Sequence, residues 1–189
     1  MLKSLNEFYD DLRVSNPTLS LPNEAEFRSY HLLTHLRDPD IVWSTELLPL
    51  HIFSHPLLQT ALQLHRLAQR SNTARGERAS PNAFSRFFKL VESPKVPYLF
   101  GCILSTHFND IRRNALDALR GAYLKQHSAF PLRTLTKILV CDDEAETRSV
   151  CEQLGIVVRT DERGKLVAEV HKGVILKCTS SLFPHRLWR

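Results

Sequence analysis

The sequence predicts a mainly α protein: a stack of helices followed by a small C-terminal winged helix with a β-hairpin. Three observations carry that expectation. Apolar residues recur at steps of three and four along most of the first 125 positions. Ten Phe and only six Gly suit packed helices better than a turn-rich β fold. After Phe130-Pro131 the pattern changes to two short helices and two β-branched runs. The expected division is 1–126 for the helical stack and 127–189 for the winged-helix part.

The first helix is read over Leu2 to Leu12, from Leu2, Leu5, Phe8, Tyr9 and Leu12. Asn23 is expected to cap the second, with Glu26 closing a capping box. Phe27, Tyr30, Leu32, Leu33 and Leu36 supply its apolar stripe. Asp38-Pro39 reads as the start of a short helix that stops at Pro49. His55-Pro56 opens another through Leu58, Leu62 and Ala68. Gln69 to Ser80 has no large apolar residue and is read as a solvated connection. Ser80-Pro81 should cap a helix carrying Phe84, Phe87, Phe88, Leu90 and Val91.

Tyr98 to Lys125 gives the longest helical pattern, with Gly101 and Gly121 as places for a kink. Leu132, Leu135, Ile138 and Leu139 then form one short helix. Asp143 caps the next with Glu146 at the capping-box position, and Gly155 ends it in a left-handed cap. Ile156 to Arg159 and Leu166 to Val170 are the expected hairpin strands, joined through Asp161, Glu162, Arg163 and Gly164.

Composition narrows the function classes. The chain is 43% hydrophobic and 24% charged, with a net charge of +5 and a pI near 9.2. That balance permits contact with nucleic-acid phosphates without requiring it. The start carries acids and no apolar run, which is unlike a signal peptide, and no stretch is apolar enough to span a bilayer, so no membrane contact is expected. Cys102, Cys141, Cys151 and Cys178 form no CxxC pair and read as buried reduced thiols.

Catalytic signatures are missing. His31 and His35 stand four apart, but Leu32 occupies the place of the glutamate that a zinc hydrolase needs; His51 and His55 repeat the spacing before a proline. There is no G-x-S-x-G, no G-x-x-x-x-G-K and no G-x-G-x-x-G. No enzyme, no metal and no cofactor is expected. The aromatic set Phe84, Phe87, Phe88, Tyr98 and Phe108 has helical spacing and reads as core, not as a base-stacking platform. The candidate nucleic-acid contacts are Arg148 on the second helix of the winged part, then Arg159, Arg163, Lys165 and Lys172 on the wing, with Lys177 and Arg186 beyond. Glu144, Glu146 and Glu152 share the helix with Arg148, so sequence-specific groove reading is not expected.

Several segments taken together resemble one family. They are Asn23-Glu24-Ala25-Glu26-Phe27-Arg28 with Tyr30, Leu32 and Leu33; Asn82 and Phe84 with Arg86-Phe87-Phe88-Lys89-Leu90-Val91; and Tyr98-Leu99 with Cys102. Phe108-Asn109-Asp110-Ile111-Arg112, Ala115-Leu116-Asp117-Ala118-Leu119 and Ala122-Tyr123 follow in order. Phe130-Pro131-Leu132, the acidic helix start at Asp142 to Ala145, Gly155 and Ser181-Leu182-Phe183 complete the set. In this order they resemble the SAC/GANP family, the suppressor-of-actin and germinal-centre-associated nuclear proteins. The chain looks like the later part of that family's PCI-like domain, or a short member of the family, because the upstream cysteine-proline motif is not among its residues.

The resemblance implies a PCI-type helical stack and a non-catalytic scaffold role in a nuclear transcription-coupled mRNA-export complex, at the nuclear face of the pore with a cytoplasmic pool also allowed. It implies pairing with a second PCI-domain protein, whose own support is a small acidic Sem/Dss-type protein, and a basic winged-helix surface offered to RNA or DNA backbone. The alternative is a PCI-type assembly subunit of another complex, of the splicing or transcription-elongation, proteasome-lid or signalosome kind, whose winged helix is an oligomerisation edge with no nucleic-acid contact. A DNA-binding regulator is disfavoured by the acids on the candidate recognition helix.

Overall fold

The computed structural model describes residues 1–16, 19, 21–72, 82–122, 129–161 and 164–170. These are mainly helical, with one small antiparallel sheet. They group into two compact units that part between Ile111 and Arg112.

The first unit holds α1 (Leu2–Ser15), α2 (Glu24–Thr34), α3 (Ile41–Glu46), α4 (Leu50–Phe53), α5 (Pro56–Ser71), α6 (Ala83–Val91) and α7 (Tyr98–Ser105), and the start of α8 (Phe108–Ala122). The hub is α2, which packs against α1, α5 and α7, while α5 also packs against α6. Leu32 and Leu33 of α2, Leu58, Ala61 and Leu64 of α5, and Phe87, Phe100 and Leu104 are all at most 1% exposed. Each large side chain sequestered this way contributes about 1.5–3 kcal/mol.

Helix α5 starts as its sequence dictates. Pro56 sits at N1, and the His55 Nδ1 accepts from the Leu57 amide at 3.3 Å. Its side chains also tie down the chain before α3: His65 Nε2 lies 2.8 Å from the Asp38 carbonyl, and Gln69 donates to the Leu36 carbonyl at 2.7 Å. The cap of α2 departs from expectation. Asn23 occupies the N-cap, but at φ −96°, ψ 0° its side chain makes no cap bond. A capping side chain needs the extended backbone that Asn23 lacks. Glu26 is drawn away as well and accepts from the Tyr30 hydroxyl.

Three boundaries differ from the sequence reading. The expected start at Asp38-Pro39 moves to Ile41, because Asp38 Oδ1 takes the Asp40 amide at 2.9 Å in a local turn. Beyond Pro49 a further single turn, α4, was not foreseen. The pattern from Tyr98 divides into α7 and α8, and neither Gly101 nor Gly121 marks the break. It falls at Thr106-His107, whose amides turn back to Ile103 and Leu104, while the Ser105 and Thr106 hydroxyls bond to carbonyls three residues earlier. Tight i→i−3 bonds of this kind unwind an α-helix locally. The expected cap at Ser80-Pro81, the chain through Lys125 and the end of the Gln69–Ser80 connection lie outside the described residues.

The aromatic set packs as core, with one correction. Phe84, Phe87 and Phe88 are buried, and Phe108 meets Phe87 and Phe88 edge-on with centroids 6.5 and 5.6 Å apart. Tyr98 instead stands 74% exposed: in the first turn of α7 it is Phe100 that faces inward, at 0% exposed.

The second unit contains β1 (Ala129–Pro131), α9 (Leu132–Leu139), α10 (Glu144–Gln153), β2 (Val158–Thr160) and β3 (Leu166–Glu169). The sheet order is β1-β3-β2, antiparallel throughout, with Phe130 opposite Ala168 and Arg159 opposite Val167. Strand β1 was not foreseen: three residues are too few to show a period, and its proline suits only an edge position. Leu132, Leu135, Leu139, Cys151, Leu154, Ile156 and Ala168 form the buried interior.

Helix α10 follows its caps closely. Asp143 accepts from the Glu146 amide at 2.6 Å, and Glu146 Oε2 reaches the Asp142 amide at 2.8 Å, one residue before the reciprocal partner of a strict capping box. Gly155 takes φ +82°, and the Ile156 amide returns to the Cys151 carbonyl at 2.8 Å. That bond commits Ile156 to the helix end, so β2 begins two residues later than the apolar run.

Candidate nucleic-acid interface

The β2–β3 hairpin is built by a tight connection. The Asp161 amide donates to the Lys165 carbonyl and the Gly164 amide to the Asp161 carbonyl, both at 2.8 Å. Gly164 lies at φ +72°, where a side chain would be strained. This turn leaves the Lys165 side chain exposed at the tip. Arg159 is exposed on β2, and its Nη1 lies 3.3 Å from Glu169 Oε1 across the β2–β3 ladder. Arg148 on α10 is exposed and pairs with Glu152 one turn later at 2.7 Å. Arg163, Lys172, Lys177 and Arg186 lie outside the described residues.

The hairpin thus brings Arg159 and Lys165 into one small element, whereas Arg148 belongs to α10 with its own acidic neighbour. Exposed pairs of this kind are worth at most about 1 kcal/mol and exchange readily with a competing phosphate. Arg148 and Arg159 are therefore neutralised at rest but available at small cost; Lys165 supplies a charge held by no ion pair among the described residues.

One arginine that shapes this unit was not singled out as structural. Arg112 is only 7% exposed. Its Nε donates to the Leu139 carbonyl at 3.0 Å, its Nη2 to the Val140 carbonyl at 2.7 Å, and its Nη1 pairs with Glu146 at 2.7 Å. The guanidinium fork joins the end of α9 to the start of α10. Its sequence neighbours Ile111 and Arg113 give no periodic signal that sets it apart, since burial of a cation is decided only by the carbonyls that meet it.

The sulfur and imidazole groups have ordinary roles. Burial pushes the Cys151 thiol up to about 12 and raises Cys141 as well. Both are protonated and poorly nucleophilic near neutrality. Cys102 and Cys141 are half-buried rather than fully enclosed, and Cys178 lies outside the described residues. His31 and His35 stack with centroids 4.5 Å apart, and His35 Nδ1 bonds to the His31 carbonyl at 2.9 Å. Burial first, then the neighbouring His35, lowers the His31 pKa.

The first unit also carries a buried carboxylate and a surface groove. Glu24, 2% exposed, is paired by Arg13 and by Arg28, the latter at 3.1 Å. Arg28 also reaches Asp10 at 2.6 Å, which ties α1 to α2. The groove lies between α3 and α5 and is lined by Trp43, Glu46, Leu62, Arg66 and Arg70 among others.

These features define a mainly helical protein with a compact strand–helix–helix–hairpin unit over residues 129–170. A profile of the SAC3/GANP family matches residues 1–160. SAC3 family protein 1 of Schizosaccharomyces pombe is 44% identical over 178 residues, covering 91% of this chain and 17% of that protein. Protein xmas of Drosophila melanogaster is 30% identical over 170 residues, covering 88% of this chain and 8% of that protein. The chain belongs to the SAC3/GANP family. It spans less than a fifth of the length of either relative.

Proposed function

We propose that this chain is a non-catalytic scaffold module of a nuclear mRNA-export complex, with a PCI-type helical stack and a winged helix that touches RNA or DNA backbone. Membership of the SAC3/GANP family over residues 1–160 supports the export role and a nuclear location. The observation that carries the contact surface is the order β1-α9-α10-β2-β3 with a sheet ordered β1-β3-β2 and a lysine at the hairpin tip. In that reading α10 is the second helix of the winged unit and the hairpin is its wing. The chain pairs with a second PCI-domain protein, which a small acidic Sem/Dss-type protein supports in turn.

Phosphate contact by Arg159, Arg163, Lys165 and Lys172 is sequence-independent, with Arg148 at the margin. The test is anisotropy of labelled single-stranded RNA with the Arg163→Glu/Lys165→Glu variant across a salt series. Loss of two phosphate contacts flattens the log–log salt slope by about 1.4. Unchanged affinity and slope would remove the RNA contact from the proposal. Co-purification from nuclear extract, with the bound proteins identified, tests the pairing with a PCI partner.

A second reading has its own observation. Arg148 and Arg159 are already matched by Glu152 and Glu169, and among the described residues β2 is an edge strand of the sheet. An edge open for strand pairing favours assembly with another subunit and no nucleic-acid contact. RNA binding that is absent both alone and with partner would favour this reading.

A further inference from the structure

The groove between α3 and α5 has a volume of about 610 Å³. Two depths of side chain line it. Leu62 is buried and Val42 half-buried, so they form its apolar interior. Trp43, Glu46, Arg66 and Arg70 are exposed and form its rim. The Trp43 indole is 70% exposed, an expensive state for the largest apolar side chain. Arg66 and Arg70 lie one turn apart on α5, and neither makes an ion pair among the described residues. The groove is formed in advance, because His65 and Gln69 of the same helix bond to the Asp38 and Leu36 carbonyls. A site that needs no reordering loses little entropy on binding.

We infer that this groove binds an acidic peptide segment of a partner protein, carrying two carboxylates one helical turn apart and one bulky apolar anchor. Side chains four apart on a helix have Cβ atoms about 5–6 Å apart, so Arg66 and Arg70 match two acids at the same spacing on a facing helix. Each fork donates two parallel hydrogen bonds to a carboxylate. The anchor enters against Val42, Trp43 and Leu62, the combination of tryptophan and arginine that dominates binding energy at protein interfaces. Glu46 decides between an acidic peptide and a nucleic acid. Its carboxylate on the rim repels a continuous phosphate backbone, but a peptide helix meets it with the free backbone amides of its first turn, where acids also concentrate. The site lies wholly in the first unit and is independent of the hairpin cations.

The test pans a random dodecapeptide phage library against the full chain, with counter-selection on the Arg66→Glu/Arg70→Glu variant. Thermal melting checks that the variant is folded; Arg66→Gln/Arg70→Gln replaces it if it is not. The sequence has two tryptophans, so Trp188→Phe leaves Trp43 as the sole reporter for titrating each selected peptide as a synthetic peptide. The expected result is a set of peptides with paired Asp or Glu and an aromatic or leucine anchor, a change in Trp43 emission, and at least tenfold weaker binding to the arginine variant. Peptides with the acids changed to Lys should recover binding to Arg66→Glu/Arg70→Glu. No enrichment over the variant, selection of basic peptides or failure of the charge-swapped rescue overturns the inference. So does groove-dependent binding of a twelve-residue oligouridine in place of peptide.

Discussion

Arg112 donates through Nη2 to the carbonyl oxygen of Val140, 2.7 Å away, and Val140 is the one non-glycine residue at positive φ among the described residues. A β-branched residue at φ +50° is held against its own preference. The Arg112 fork holds it by satisfying the carbonyls of Leu139 and Val140 at the end of α9 and by pairing with Glu146. The turn between α9 and α10 is thus fixed by a side chain from α8.

Replacing Arg112 with Ala is therefore expected to cost about 3 kcal/mol or more, since two carbonyls and a half-buried carboxylate lose their partner. Arg112→Lys should recover only part of this, because one ammonium cannot span three acceptors. Urea unfolding of the two variants checks both values; equal stability of Arg112→Lys and wild type would show that charge alone suffices.

At Val140 the usual ranking of alanine over glycine should invert. Both substitutions remove the side chain, but only glycine relieves the left-handed backbone, which is worth about 1–2 kcal/mol. Val140→Gly should thus melt above Val140→Ala. Calorimetry on the pair reads the sign directly.

Phe88 is 3% exposed and meets Phe87 and Phe108 edge-on. Phe88→Ala should destabilise by about 3–5 kcal/mol, the transfer and cavity cost of a buried phenyl ring. A melting temperature near that of wild type would mean that the ring does not hold α6 to the start of α8.

Stability should fall as the pH drops below 6.5, the ordinary histidine value. Burial, then the charge of Arg37, lowers the His107 pKa, and its Nδ1 is buried without a hydrogen-bond partner among the described residues. The unfolded chain then binds more protons than the folded one between the depressed value and 6.5, so stability rises with pH through that window and levels off above it. His31 is shifted in the same direction. The slope of melting temperature against pH should shrink in His31→Gln/His107→Gln; an unaltered slope would assign the dependence to other groups.

Much of the fold was legible because local chemistry acts within a few residues. Pro56 after His55, Asp143 ahead of Glu146 and Gly155 at the helix end each specify a backbone conformation by themselves, and the structure keeps all three. The period of Leu132, Leu135 and Leu139 likewise names the buried face of α9. The family followed from ordered motifs spread along the chain, which need no coordinates. Tertiary structure decided what a one-dimensional pattern does not carry: that Tyr98 is exposed while Phe87 is enclosed, that three residues at Ala129–Pro131 become a strand because β3 is there to pair with them, and that Arg112 is buried while Arg148 meets water and Glu152. The reason is physical. A cap or a helical stripe is fixed by neighbours in sequence, but whether a charge is solvated or a short segment is paired depends on groups tens of residues away.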